Sequence, residues 1–248
     1  MATIKLKDIS TRAPKEFNKQ DTKQKLEKIL DELDELQNLL YAEGKHSVLV
    51  VLQGVDASGK DSTIRHVFGK LNPLGVSAHP FKVPTPEELA HDFLWRVHKL
   101  SPAKGTMAIF NRSHYEDVLV TRVHGWCDDE TAKKRMEAIN GFEKLLSEHN
   151  NTQIFKFYLH ISKEEQSDRL NERIRDPRKQ WKYNQNDFEE SEFWERYRKM
   201  YEAIFERCDE PPWKIIPADQ KWYRDYLVAI TVRDALEKLG MKYPSLKE

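Results

Sequence analysis

Gly54, Gly59 and Lys60 stand in the spacing G-x-x-x-x-G-K within the stretch VLVVLQGVDASGKDST, Val48 to Thr63. A glycine-rich turn of this kind directs successive backbone N–H groups, including those of Ala57 and Ser58, into one concave anion site. A helix after Lys60 adds the positive end of its dipole, and Lys60 itself adds a mobile point charge. The chemistry implied is phosphate binding. Two acids alter the pattern. Asp61 stands where Ser or Thr usually holds magnesium, and Ser62 comes one residue late, about 100° around a helix. Asp61 is expected to point outward as a first-turn acid. Asp56 lies inside the loop. It reads either as a metal-binding or catalytic carboxylate, since hard cations take carboxylate and phosphate oxygens together, or as a turn residue bonding nearby N–H groups.

A second cluster, FNRSHYEDVLVTRVHG, runs from Phe110 to Gly125 after an apolar run. In a P-loop fold this strand end carries the second acidic site; here an amide, Asn111, stands first and acids follow. Arg112 can bind a phosphate bidentately. Glu116 reads as a metal ligand or as an acceptor of a proton from the attacking group. The competing reading is a solvated, capped helix start from about Tyr115, which suits Asp117 but not Arg112, whose charge opposes the helix dipole. Between Asp168 and Asp187 the chain concentrates Arg169, Arg173, Arg175, Arg178, Lys179 and Lys182 around an Asp176-Pro177 break. That pattern predicts a hinged lid that neutralises phosphate charge and excludes water. Glu165–Arg169 is equally at the i,i+4 spacing of a surface ion pair. Lys82, on a loop fixed by Pro84 and Pro86, reads as a further phosphate contact. Trp181, Trp194 and Trp213 are expected to pack.

Periodicity supplies the elements that must position these groups. Leu26, Ile29, Leu30, Leu33, Leu36 and Leu40 predict an amphipathic helix over Asp21–Tyr41, behind an N-terminal arm. Apolar runs predict strands at His46–Gln53, Val76–Phe81, Thr106–Phe110, Gln153–Ile161 and Trp213–Pro217. Helical patterns separate them: Lys60–Phe68, Pro86–Lys99, Asp129–Glu148, Ser162–Arg175, Glu189–Cys208 and Lys221–Leu239. Ser162 with Glu165 predicts a capping box, and Gly240 a helix stop. Alternating strands and helices give an α/β class with a parallel sheet flanked by helices and ligands at the carboxyl ends of its strands. The predicted division is 1–45 as arm and helix, then 46–248 as core, with the lid at about 163–190.

The 248 residues carry 41 basic and 41 acidic side chains. Without a global positive field, a nucleic-acid partner is not expected. Cys127 and Cys208 lie in no metal-like spacing and read as reduced thiols. No apolar stretch is long enough for a bilayer span and no leader pattern is seen, so a cytoplasmic protein without a membrane partner is expected.

Four ordered segments, GVDASGKDS, FNRSHYEDVLVTRVH, RIRDPRKQWKYNQND and PPWKIIPADQKWYRDYLVAI, resemble the motifs of the polyphosphate kinase 2 family over nearly the whole chain. The resemblance implies a thymidylate-kinase-like P-loop fold with a helical lid and an N-terminal helical extension. It implies phosphoryl transfer from inorganic polyphosphate to nucleotides with Mg2+, or Mn2+ in its place, by a homo-oligomer of two or four chains. By the same resemblance Gly54, Gly59 and Lys60 cradle phosphates and Asp56 lies at the metal and reacting phosphates. Arg112 matches the family's second-motif arginine, Lys82 a polyphosphate-contacting lysine, and Arg175 and Arg178 the region of its lid arginines. Many members have Asp in place of Asn111 and Asn in place of Glu116. The NRSHYED form resembles the class III subgroup, which phosphorylates both nucleoside mono- and diphosphates. The metal set expected is Asp56 and Glu116 with Asn111, the last weakened by the loss of its carboxylate. The alternatives are an ATP-dependent nucleoside monophosphate kinase and a nucleotide-dependent switch.

Overall fold

The computed structural model describes residues 4–246. After a one-turn 3₁₀ helix at Leu6–Asp8, the chain forms α1 (Lys19–Glu43), β1 (Ser47–Gln53), α2 (Lys60–Thr63, continued by a π turn over Ile64–Phe68) and β2 (Val76–Pro80). Next come α3 (Pro86–Leu89), α4 (Trp95–His98), β3 (Met107–Asn111), α5 (Glu116–Val123), α6 (Asp129–Asn150) and β4 (Thr152–His160). The remainder comprises α7 (Lys163–Arg175), a 3₁₀ turn at Gln180–Lys182, α8 (Gln185–Ser191), α9 (Trp194–Arg207), β5 (Trp213–Pro217) and α10 (Lys221–Glu237).

All four strand pairings are parallel, in the order β2-β3-β1-β4-β5. The central strand, β1, is buried along its whole length, as its uninterrupted apolar sequence requires. Its side chains alternate between two cores. Val48, Val50 and Leu52 meet α1 and α10 on one face. Leu49 and Val51 meet residues of α5, α6 and α9 on the other. Strand order reverses between β3 and β4, on either side of β1, so the loop after β1 opens at the crevice where such sheets take ligands.

Several expected elements take a different form. The segment Pro86–Lys99 divides into α3 and α4: Thr85 caps the first with a reciprocal box to Glu88, and Asp92 accepts from the Leu94 N–H in the turn between them. The segment from Glu189 also breaks, at Glu192–Phe193, where the Phe193 ring meets the His124 ring edge-on. The box expected at Ser162 forms by half. Ser162 Oγ accepts from the Glu165 N–H, but Asp219 takes the Ser162 N–H and Arg169 takes the Glu165 carboxylate. Residues before α1 are tied down: Leu6 is 1% exposed, its N–H donates to Glu202, and its carbonyl lies 3.1 Å from His160 Nε2.

Candidate active site

The glycine loop needs backbone that few side chains allow. Gly54 has φ 149° and Gly59 φ 107°. A Cβ on Gly59 would come within 2.0 Å of Arg224 Nη1, which fills the space beneath the turn. Lys60 folds back onto its own loop, donating to Gly54 O at 2.7 Å and Val55 O at 3.1 Å. Burial, reinforced by the neighbouring Arg112, lowers its pKa to about 8. Ser62, offset around the helix as expected, bonds Gly59 O and receives Arg224 Nη2 at 2.9 Å.

β3 delivers the second cluster to the same crevice, because Leu52 and Asn111 are register partners. Arg112 adopts a left-handed backbone, φ 63°, that a non-glycine residue reaches only at a cost in strain. In that conformation its guanidinium joins the two acids singled out in the sequence. Nη2 lies 2.5 Å from Asp56 Oδ1, and Nη1 lies 3.1 Å from Glu116 Oε2. The Glu116 charge outweighs the effect of burial, and Asp56 adds to it, so the guanidinium is held firmly protonated. Asp56 therefore faces a phosphate-seeking cation from the second cluster, rather than closing a turn on local amides. The two carboxylates that reach this guanidinium are hard oxygen donors of the kind that could hold a divalent cation. Among the described residues no three His, Cys, Asp or Glu side chains assemble a closed metal cluster.

Asn111 turns its amide nitrogen to Asp61 Oδ1 at 2.8 Å. Asp61 is exposed, as expected of a first-turn acid, and its carboxylate is paired there. Adjacent strands bring the Asn111 amide to the start of α2, and Lys182 approaches the other Asp61 oxygen at 3.5 Å. Lys82 is exposed at the carboxyl end of β2, its loop anchored by Arg96 Nη1 on the Lys82 carbonyl at 2.9 Å. No contact joins Arg175 or Arg178 to the loop. Arg175 is exposed, while Arg178 forks onto Asp176 in the turn after α7, at 3.1 and 3.0 Å. Arg173 pairs with Asp187. Two cations of the basic segment reach this region: Arg169, on the Ala57 and Ser58 carbonyls of the loop, and Lys182, on Asp61 at the start of α2.

Residues with no motif complete the site. Tyr201 on α9 accepts the Gly54 N–H at 3.1 Å and bonds Gln53 Oε1 at 3.2 Å. Gln53 Nε2 continues to Ser113 Oγ at 3.0 Å, so one side-chain relay links the two clusters. Tyr201, Tyr197, Trp194 and Glu190 wall a narrow cleft whose far side is Gly54, Asp56, Arg112 and Glu116. Trp194 is therefore a cleft residue and Trp181 is 78% exposed, whereas Trp213 packs as expected. Beneath the second cluster, Lys156 bonds Glu143 at 2.7 Å, Tyr115 Oη at 3.1 Å and Cys208 O at 2.9 Å. His114 and Tyr115 share the Glu143 Oε1 atom. Lys156, Glu143 and His114 are all fully buried.

Comparison with known proteins gives the family of the chain. The family description "Polyphosphate kinase 2" matches residues 16–244. The chain is 51% identical over 214 residues to the AMP/ADP-polyphosphate phosphotransferase of Meiothermus ruber, spanning 86% of this chain and 80% of that one. It is 39% identical over 229 residues to the ADP-polyphosphate phosphotransferase of Rhodopseudomonas palustris, spanning 87% and 79%. Among solved structures, polyphosphate kinase 2 from Arthrobacter aurescens TC1 superposes with a TM-score of 0.94 at 38% identity, covering 100% of this chain and 90% of that one. With a family match across most of its length and relatives at this identity, the chain belongs to the polyphosphate kinase 2 family.

Proposed function

We propose that this protein phosphorylates nucleotides from inorganic polyphosphate, moving the polymer's terminal phosphoryl group to nucleoside mono- and diphosphates. Adenine nucleotides are the first choice, and GMP and GDP are further acceptors. The carrying observation is the Asp56–Arg112–Glu116 constellation at the mouth of the glycine loop. It sets one cation between two carboxylates where donor and acceptor phosphates would meet. The names of the relatives, an AMP/ADP- and an ADP-polyphosphate phosphotransferase, support the donor and the acceptors.

Phosphoryl transfer asks the protein for positioning and charge neutralisation, with no covalent intermediate on a side chain. The loop amides and Lys60 hold the phosphate being transferred. Arg112 steadies it as the nucleotide's phosphate oxygen bonds to the end phosphorus, the P–O bridge breaks and negative charge builds on the bridging oxygen, which leaves with the shortened polymer. Mg2+, or Mn2+, held by Asp56 and Glu116, would supply charge neutralisation between donor and acceptor oxygens. The segment at about 163–190 acts as a lid, offering Lys182, and in a closed form Arg175 and Arg178, to a polymer that carries a charge on every unit. Lys82 extends that track from β2. The cytoplasm is where the nucleotide pool this reaction needs resides. Among the described residues no helix is long and apolar enough to cross a membrane.

The test is phosphate transfer to AMP, ADP, GMP and GDP from long-chain polyphosphate with magnesium and no ATP. Diphosphate and triphosphate products are expected. Transfer to AMP that requires ATP and ignores polyphosphate would overturn the reading in favour of an ATP-dependent monophosphate kinase.

A further inference from the structure

Three consecutive carbonyl oxygens of the glycine loop are held by side chains of a single helix, α7. Gln166 Nε2 donates to Asp56 O at 3.1 Å. Arg169 Nη1 donates to Ala57 O at 3.0 Å and to Ser58 O at 2.9 Å. The other edge of the Arg169 guanidinium is equally committed, with Nη2 on Ala218 O at 2.6 Å and Asp219 O at 3.1 Å, and Nε on Glu165 at 2.7 Å. Arg169 is 9% exposed and Gln166 3%. Five hydrogen bonds to fixed acceptors leave this guanidinium one orientation, a geometry that an ammonium cannot copy.

A trans peptide is planar, so its C=O and the next residue's N–H point in opposite directions. Holding the carbonyls of Asp56, Ala57 and Ser58 toward α7 therefore turns the amides of Ala57, Ser58 and Gly59 away from it. The Ser58 amide closes the inner turn on Val55 O at 3.1 Å. The amides of Ala57 and Gly59 have no acceptor among the described residues, which leaves them for a phosphate. Ala57 sits at φ 61°, a conformation its own side chain does not favour, so something outside the loop must hold it there.

We propose that Arg169, assisted by Gln166, is a positioning residue that keeps the phosphate cradle in its anion-binding form, and that α7 thereby couples the cradle to the rest of the lid, which follows its carboxyl end. The inference rests on polyphosphate being the phosphoryl donor. Arg169 does not line the cleft, and Gln166, which does, spends its amide nitrogen on the Asp56 carbonyl, so both are assigned to setting backbone.

The experiment compares wild type with Arg169→Lys, Arg169→Ala and Gln166→Leu, measuring kcat and KM for polyphosphate, tripolyphosphate affinity by calorimetry, and thermal unfolding. Wild-type turnover with polyphosphate is the control: its failure overturns the donor assignment and leaves the clamp geometry to be tested by tripolyphosphate affinity. Arg169→Lys, which keeps charge but loses the fork, is expected to lower kcat/KM by about 30-fold or more and tripolyphosphate affinity by about tenfold. Gln166→Leu should lose a few-fold in both while unfolding as wild type does. Free guanidinium at millimolar concentration should restore part of the activity of Arg169→Ala, and methylammonium should not. If Arg169→Ala does not fold, Arg169→Lys and Gln166→Leu carry the test. Wild-type kinetics and affinity in folded Arg169→Lys, or losses in every variant that merely follow the fraction unfolded with no guanidinium rescue, would overturn the proposal.

Discussion

Two sets of charges serve this site in opposite physical states. Beneath the second cluster, Lys156 and Glu143 are 0% exposed and locked with Tyr115, His114 and the Cys208 carbonyl into one dry network. Above the loop, the cations of the proposed lid pair with acids in contact with water: Arg178 with Asp176, Lys179 with Glu172 and Asp176, Lys182 with Asp61. The buried set underlies Asn111 to Glu116, which on the proposed function present one guanidinium to one reacting phosphate. A low dielectric and the direct pairing of Lys156 with Glu143 fix such a network, and make it intolerant of loss. The wet set faces what we propose to be a repeating polyanion, for which any of several cations at varying distances will serve. Precision is thus buried, and tolerance is left on the surface.

The sharpest way to break that contrast is Lys156→Met. It strands the Glu143 carboxylate in the core and should destabilise the fold by about 3–5 kcal/mol, read by urea or thermal unfolding. Adding Glu143→Leu should recover much of the loss, because the stranded charge goes with it. Arg178→Gln in the lid should leave the unfolding midpoint where it was. A similar midpoint for both single variants would abolish the distinction. One step closer to the chemistry, Asp56→Asn should cut kcat by about 100- to 1,000-fold with little change in unfolding. A variant that turns over normally would remove Asp56 from the reaction.

Lys60 belongs to both sets: buried like Lys156, yet needed at the ligand. Burial and the neighbouring Arg112 depress its pKa to about 8. In the free enzyme the ammonium is therefore lost as pH rises through about 8, and kcat/KM should fall by about tenfold per pH unit above it. Bound phosphate favours the charged form, so kcat should hold to higher pH than kcat/KM. Stability moves the other way. Between about 8 and the ordinary lysine value the unfolded chain binds more protons than the folded one, so this group adds stability as pH increases. An activity loss in that range accompanied by unfolding would reject the assignment.

The architecture was legible because its signals are local. A β-branched run, a glycine turn and alternating apolar patterns each occupy a few consecutive residues, and they placed all five strands and the crevice. Asp56, Arg112 and Glu116 were legible as types, but their union through one guanidinium depends on a left-handed backbone at Arg112 that no neighbouring residue announces. Arg169 was read as an i,i+4 partner of Glu165, and that pair exists at 2.7 Å. The local explanation concealed four carbonyl contacts to residues far along the chain. Asp61 was read from its own helix start, while its partners come from Asn111 and Lys182. Tyr201 and Gln53 carry no spacing signal. Lys156 did carry one: a lone lysine inside the apolar run QIFKFYLHI demands a buried acid, and Glu143 on α6 meets that demand.

The smallest expected effects lie at Asp61 and Lys182, where the glycine loop meets the lid. Burial alone would raise the Asp61 pKa, but the Asn111 hydrogen bond and the Lys182 charge outweigh it and hold the carboxylate ionised. Its side chain is 67% exposed and that of Lys182 39%, so the pair is well screened. If Lys182 serves the polymer, the Asp61 carboxylate competes with phosphate for it. Lys182→Met should then raise KM for polyphosphate by no more than about fivefold, and the difference from wild type should vanish near ~0.5 M salt as screening takes over. Asp61→Asn should do the reverse and lower that KM, because it frees the ammonium and removes a negative charge beside the site. Opposite signs would mark Lys182 as a cation borrowed by the polymer. A higher KM in both variants would instead make the pair a closure contact, and Lys182 would have no place on the phosphate track.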